Sequence, residues 1–373
     1  MGSKYKDMIF NRSKLNYQIL DAIADLVRVI DADGRVIFVN NAMEKQLNYD
    51  KKTLVCKIDD FELSTSIANR TIQTGEVIQR EEYIKEIHYS VKCSPIRNLD
   101  GRIFGAVEVF RNTSNEYRLI NEIIDKNKKL SIEMAQAKKI QNSLLPKKGF
   151  MENLKVEHIY RPSSVLSGDL FDIFKIDENN FGVYIADCVG HGFASSMLTM
   201  FIKFVTRNIP PEILIHPAEA LSYLQEKFIK LDLDIDNYFT CFYGVYNKKA
   251  SKITYSNAGH FPTPILISKG QAKILQAEGF PITKFLNKES YQEYESELRV
   301  SDKLLFMTDG IVDSKNFKGE SYGIDRAIDV LLDNEDGEID ELDKKIYEFT
   351  MGEQKDDISA LLLKIRQQYI KID

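Results

Sequence analysis

The chain is short of cysteine, has no long apolar run and lacks a basic excess, and each shortage removes a class of protein. Its 373 residues include four cysteines, Cys56, Cys93, Cys188 and Cys241, far apart and with no C-x-x-C pair. That spacing supports neither a zinc site nor a disulfide framework; it suits reduced, mostly buried thiols in a cytoplasmic protein. No stretch approaches the roughly 20 apolar residues that span a bilayer, so no membrane segment is expected. The start, Met1-Gly-Ser-Lys-Tyr-Lys6, has no secretory apolar core, and Lys6 stands where a myristoylation signal wants Ser or Thr. A net charge of −6 leaves no electrostatic footprint for nucleic acid. What remains, 43% hydrophobic and 28% charged, is ordinary globular material, long enough for two or three domains.

Residues 14–112 read as the first domain. Leu15 to Asp25 has a helical pattern. Leu26 to Asp31 and Arg35 to Asn40 are two strands joined by Asp31-Ala-Asp-Gly34, a hairpin signal. Asn40 and Asn41 can cap a helix over Ala42 to Leu47. After short helical pieces and a turn at Thr74-Gly75, strands are expected over Ile78 to Glu86, Ile87 to Pro95 and Arg102 to Phe110, the last two joined by Asn98-Leu-Asp-Gly101. This order, with Val29-Ile-Asp-Ala-Asp-Gly-Arg-Val-Ile-Phe-Val-Asn-Asn-Ala42 at its front, resembles the PAS sensory domain. The resemblance implies an antiparallel sheet with a helical cover, often around a small ligand, which the sequence does not name. His88 reads as a half-exposed strand residue rather than a haem ligand. Cys56 reads as a structural thiol, since Leu54-Val-Cys-Lys-Ile58 lacks the flavin photosensor motif.

From Ser114 to Leu145 there is no Gly and no Pro. Heptads place Ile120, Asn127, Met134 and Gln141 at a, and Ile123, Leu130, Ala137 and Leu144 at d. The expectation is a coiled-coil linker helix over residues 113–147, making a homodimer, with Asn127 favouring a two-stranded parallel register. A single amphipathic helix packed on its own domain is the competing reading. Pro146 and Gly149 end the helix.

The second domain, residues 148–366, is organised around Val183-Tyr-Ile-Ala-Asp-Cys-Val-Gly-His-Gly192. An apolar strand delivers Asp187 into a glycine-cornered turn, and a helix is expected over Phe193 to Arg207. Three other carboxylates stand at strand ends: Asp169 before one strand, Asp309 after Lys303 to Met307, and Asp356 before Ile358 to Ile365. Like charges a few ångströms apart repel, so such a cluster needs a counter-charge. Hard divalent cations, Mg²⁺ or Mn²⁺, match oxygen donors. Two of them about 4 Å apart can turn one water into a nucleophile.

Five motifs, Ser167-Gly-Asp-Leu-Phe-Asp172, Ala186-Asp-Cys-Val-Gly-His-Gly192, Asn257-Ala-Gly-His-Phe-Pro262, Thr308-Asp-Gly310 and Asp356-Asp357, come in the order of the bacterial type-2C (PPM) metal-dependent serine/threonine phosphatases. They resemble the SpoIIE-type, partner-switching branch, as does Ala137-Lys-Lys-Ile-Gln-Asn-Ser-Leu-Leu-Pro146 before them. The resemblance implies an α+β protein whose C-terminal domain is an αββα sandwich of two antiparallel sheets. It implies Asp187 bridging two Mn²⁺ or Mg²⁺ ions, the Cys188 carbonyl on one of them, and Asp309 and Asp356 completing the other site. Asp169 would be a direct or water-mediated ligand; Asp187, Asp309 and Asp356 would form the catalytic set. The implied partner is a phosphorylated STAS-type anti-sigma-factor antagonist. The alternative is a non-catalytic signalling scaffold on the same fold. Ser167, Val189, Asp313 and Ser359 depart from the branch's usual Gly, Ser, Glu and Thr, and none removes a ligand. Packing and turn bonds are expected of His191 and His260, and Arg161 is a minor candidate for meeting phosphate. A Cys188 nucleophile is disfavoured, because Gly190 to Ser195 holds no Arg.

Overall fold

Alternating burial along each strand decides what faces what. The computed structural model describes residues 15–48, 66–84, 86–190, 192–234, 236–285 and 291–367. The chain divides into two compact units, Met1–Lys129 and Leu130–Asp373. No described helix is long and apolar enough to cross a membrane.

In the first unit β1 (Leu26–Asp31), β2 (Val36–Val39), β3 (Ile78–Ile84), β4 (Ile87–Arg97) and β5 (Ile103–Asn112) form one antiparallel sheet, ordered β2-β1-β5-β4-β3. Helices α1 (Asn41–Leu47) and α2 (Ser66–Thr74) cover it, with Met43, Leu47 and Ala68 packed in one core with Ile30, Val91 and Phe110. Both hairpin turns form as expected, with Gly34 and Gly101 at φ of 82° and 81°. The side chains of Asp31 and Asn98 accept from the backbone N–H of Arg35 and Arg102. Asn40 caps α1, accepting from Met43 N at 3.0 Å. His88 departs from the expectation of half-exposure. It is buried, with Nδ1 2.8 Å from Thr113 Oγ1 and its ring stacked on Tyr117. Cys56 lies outside the described residues.

One helix, α3 (Ser114–Leu144), spans the expected linker. Its one buried side chain is Gln141. That corrects the assignment of Gln141 to a heptad seam, because its amide is enclosed within the second unit by Ser167 and Thr199.

The second unit has two antiparallel six-stranded sheets. One is ordered β15-β11-β10-β9-β8, with β14 on β10: β8 (Asp169–Lys175), β9 (Asn180–Cys188), β10 (Tyr238–Asn247), β11 (Lys252–Ala258), β14 (Ile282–Thr283), β15 (Tyr294–Glu297). The other is ordered β13-β12-β16-β17-β7-β6: β6 (Gly149–Met151), β7 (Leu154–Arg161), β12 (Ile265–Ser268), β13 (Gln271–Ile274), β16 (Lys303–Met307), β17 (Ile358–Ile365). Side chains alternate along a strand. Phe181, Val183 and Ile185 of β9 therefore share a core with Phe306, Leu361 and Leu363 of the opposite sheet. Tyr184, Ala186 and Cys188 face the other way, toward α4 (Phe193–Arg207), α5 (Pro211–Leu214) and α6 (Pro217–Ile229). In the second sheet Ala360 and Leu362 face α7 (Asp309–Val312), α8 (Gly323–Asp333) and α9 (Glu338–Thr350). Strands apolar on both faces are required by this helix–sheet–sheet–helix layering, which explains why they read as unbroken apolar runs.

Candidate metal centre

The register of β8 on β9 sets Asp169 directly opposite Asp187. Asp169 falls in phase with Phe171 and Ile173, and Asp187 with Val183 and Ile185, so both carboxylates point between the sheets at one end of the sandwich. The second sheet meets them there. Thr308, just past β16, donates its hydroxyl to Asp169 Oδ2 at 2.9 Å, and Asp309 opens α7. Asp356 and Asp357 precede β17. Burial is graded: Asp169 is enclosed, Asp187 and Asp309 are half-buried, and Asp356 is exposed, so the cluster opens to solvent at Asp356.

Repulsion shows in the proton affinities. Asp169 is held well above the usual carboxylate range, first by burial and then by the Asp187 charge. Asp187 is pushed up to about 7 by burial, then by Asp309, Asp356 and Asp357. Asp309 is raised by burial, then by Asp356 and Asp313. Two lysines, Lys315 and Lys355, line the cleft beside Asp356 without an ion pair to any of these acids, and other basic side chains are engaged elsewhere. Arg161 lies 3.2 Å from Asp343, and Lys203 and Arg207 pair with Asp172 at 2.6 and 2.8 Å. Among the described residues no ion pair reaches Asp169, Asp187, Asp309 or Asp356. Nor do any three His, Cys, Asp or Glu side chains among them close into a ready-made cage. An all-oxygen, open and incomplete set of donors fits Mg²⁺ or Mn²⁺, which keep several waters, better than it fits zinc.

The scaffold around these acids is held by hydrogen bonds that cross the fold. Asp357 Oδ2 accepts from Ser167 Oγ and Gly168 N, both at 2.7 Å, and its Oδ1 from Ser163 N at 2.6 Å. Ser167 Oγ in turn accepts from Asp169 N at 3.0 Å. Asp357 is therefore a clamp between the sheets, a role that the sequence reading gave to neither residue of the Asp356-Asp357 pair. Its signal was the repeated acid: one can face the solvent side while the other is buried. Gly310 permits the approach of α7, since a Cβ there would lie 1.9 Å from the Asp357 carbonyl oxygen. His260 ties the two sheets together, with Nε2 3.1 Å from Met307 O and Nδ1 3.1 Å from Thr240 Oγ1. A carbonyl only accepts, so Nε2 carries the proton and Nδ1 accepts from Thr240. Burial lowers the His260 pKa to about 4, and the ring is neutral. The Cys188 thiol belongs to the core under α4, away from the carboxylates, and burial holds it far above its ordinary value. His191 lies outside the described residues.

A family model for Stage II sporulation protein E (SpoIIE) matches residues 177–366. The chain belongs to the SpoIIE family. A PAS fold model matches residues 20–118. Two Bacillus subtilis (strain 168) relatives stand beside it. Phosphoserine phosphatase RsbP is 29% identical over 219 residues, which cover 57% of this chain and 52% of RsbP. Phosphoserine phosphatase RsbU is 25% identical over 251 residues, covering 66% of this chain and 72% of RsbU. The chain thus spans about half the length of RsbP. Among solved structures, the SiaA-PP2C domain of Pseudomonas aeruginosa aligns with a TM-score of 0.55 at 19% identity, over 64% of this chain and 98% of that one. The PP2C phosphatase domain of Bacillus subtilis SpoIIE, with a fragment of its regulatory domain, aligns with a TM-score of 0.51 at 13% identity, over 83% and 76%. These two likenesses show the fold, and it is the αββα arrangement that the motifs implied.

Against the usual SpoIIE-type pattern, Ser167 gains a physical account. A glycine there would leave Asp357 Oδ2 and Asp169 N each without the hydroxyl that joins them. Arg161, the minor phosphate candidate, is committed to Asp343.

Proposed function

We propose that the second unit is a metal-dependent protein serine/threonine phosphatase acting in the cytoplasm, in which Asp187 would be the central acid holding Mn²⁺ or Mg²⁺. Asp169, Asp309, Asp356 and the Cys188 carbonyl would supply the other donors for two such ions. The observation that carries this reading is the meeting of four carboxylates, from both sheets, with no basic partner among the described residues. Such a group is relieved by protons at low pH, and at neutral pH and above by added cations. When bound, the ions acidify a water and neutralise charge on the phosphoryl oxygens. The chain's own part is placement. Thr308 fixes Asp169, Asp357 fixes the Ser163–Gly168 loop beside it, and the exposed side at Asp356 admits a phosphomonoester. No covalent phosphoenzyme is required, and the Cys188 thiol faces the wrong layer to form one.

The substrate in this reading is phosphoserine or phosphothreonine on a partner protein, a STAS-type anti-sigma-factor antagonist. The names of RsbP and RsbU as phosphoserine phosphatases support the first part. The PAS unit acts as the sensor and α3 as the connection. Mn²⁺-dependent hydrolysis of p-nitrophenyl phosphate, with Asp187→Asn as control, tests the chemistry; equal rates would leave a non-catalytic scaffold. Phosphate release from phosphorylated STAS proteins then tests the partner.

A further inference from the structure

The last turn of α3 is keyed into the carboxylate site through a single amide. Gln141 is 1% exposed, although α3 is otherwise a largely solvated helix of 31 residues. Its Nε2 donates to Ser167 O at 2.8 Å and to Thr199 Oγ1 at 3.3 Å, and its Oε1 accepts from Ser167 N at 3.1 Å. The side chain thus satisfies both backbone groups of one residue, as a neighbouring strand would. That pattern also fixes the amide's orientation, since a flipped amide would set oxygen against the Ser167 carbonyl.

Ser167 passes the constraint on. Its hydroxyl bridges Asp357 Oδ2 and Asp169 N, so Gln141 holds the main chain two residues before Asp169. Thr199 lies on α4, the helix that follows the Asp187 turn. A second tie lies beside the first. Lys203, one turn beyond Thr199 on α4, donates to Leu144 O at 2.7 Å and pairs with Asp172. Residues three or four apart share a helix face, so Gln141 and Leu144 of α3 meet Thr199 and Lys203 of α4 along one seam.

We propose that Gln141 is a positioning residue for the cation site. It holds Ser167 so that Asp169 stands opposite Asp187, and loss of its amide weakens the hold of the site on divalent cations. This rests on the metal-phosphatase reading above. A residue that fixes a ligand's support without touching the ion acts on metal affinity more than on the saturated rate.

The test uses the full chain with Gln141→Leu, close in volume and without polar atoms, and Gln141→Glu, which keeps an acceptor and loses the Nε2 donors. Mn²⁺ binding is measured by calorimetry, p-nitrophenyl phosphate turnover as a function of Mn²⁺, and folding by circular dichroism. Both variants should bind Mn²⁺ about 10-fold more weakly, the low end of what lost ligand support costs. At saturating Mn²⁺ kcat should return to within a factor of about two, the signature of lost binding rather than lost chemistry. If neither variant folds, Thr199→Val, which removes the acceptor for Gln141 together with a local hydroxyl bond to Ser196 O, should weaken Mn²⁺ binding about three-fold. A folded Gln141 variant, or a folded Thr199→Val where only that folds, with wild-type Mn²⁺ affinity would overturn the proposal, whatever its melting temperature. A folded wild type that neither binds Mn²⁺ nor hydrolyses the ester would instead bring down the phosphatase reading, and this proposal with it.

Discussion

Asp187 concentrates the conflict that the fold sustains. Its acid is pushed up to about 7, while an unfolded aspartate titrates near 3.9. Between those values the folded chain binds a proton that the unfolded chain does not. The group's stabilising effect is therefore full below about pH 4 and lost as pH rises to about 7. Metal-free protein should accordingly lose stability over that window, and Asp187→Asn should flatten the loss. At pH 8 the metal-free variant should melt roughly 5 °C higher than the wild type while having no Mn²⁺-dependent turnover. A wild type and variant with the same melting profile between pH 4 and 8 would contradict this. His260 behaves oppositely, as a neutral brace. His260→Phe keeps a ring but removes the donor to the Met307 carbonyl and leaves the Thr240 hydroxyl only its 3.5 Å contact with Asp187 O, and should cost about 2 kcal/mol in urea denaturation. The packing role of His260 was legible from its turn motif. Its partners were not, because Thr240 and Met307 lie 20 and 47 residues away in the chain.

Strands deliver these side chains, and here spacing decides the outcome. Asp169 and Asp172 sit three apart on β8, so period-two alternation sends them to opposite faces: Asp169 between the sheets, Asp172 under α4 against Lys203 and Arg207. Asp172→Asn leaves the largely buried Lys203 without its carboxylate, Arg207 being 41% exposed, and should destabilise the protein by about 3 kcal/mol while Mn²⁺ affinity stays near the wild-type value. A large fall in affinity with unchanged stability would place Asp172 in the metal centre instead. Gly310→Ala tests the other sheet. Its Cβ would drive α7 off the Asp357 carbonyl, so both stability and turnover should drop together, read by denaturation and by phosphate release. Elements with strong patterns were readable. The apolar run closing at Asp187 and the helix Phe193–Arg207 appear where the sequence placed them. The edge strands β13 and β15 were not: Gln271–Ile274 is exposed throughout, and in Tyr294–Glu297 the one buried residue is Ser296, so neither carries the apolar alternation that marks a strand in sequence. Gln141 misled for a related reason: a polar residue at an a position reads as a register device until its partner, far along the chain, is known.

At the scale of the whole molecule the unbalanced feature is α3. Ile120, Ile123 and Leu130 are 54%, 58% and 50% exposed, and they are the side chains that the heptads assign to a seam. A helix of 31 residues carrying such a stripe buries little of it on its own chain. Apolar surface of that kind marks an association site. The expected outcome is a homodimer joined through α3, sedimenting at twice the chain's mass at micromolar concentration. Ile123→Glu would place two like charges against each other in a parallel pair and should shift the protein to monomer. If α3 carries a signal from the PAS unit, that same change should alter the Mn²⁺ dependence of turnover. Removal of residues 1–113 should alter it as well, because the remaining chain keeps Gln141 but lacks the unit that would bias the seating of α3. A full-length chain that is monomeric at micromolar concentration, or a shortened chain with unchanged turnover and metal affinity, would separate the sensor from the phosphatase and leave the stripe on α3 for some other contact.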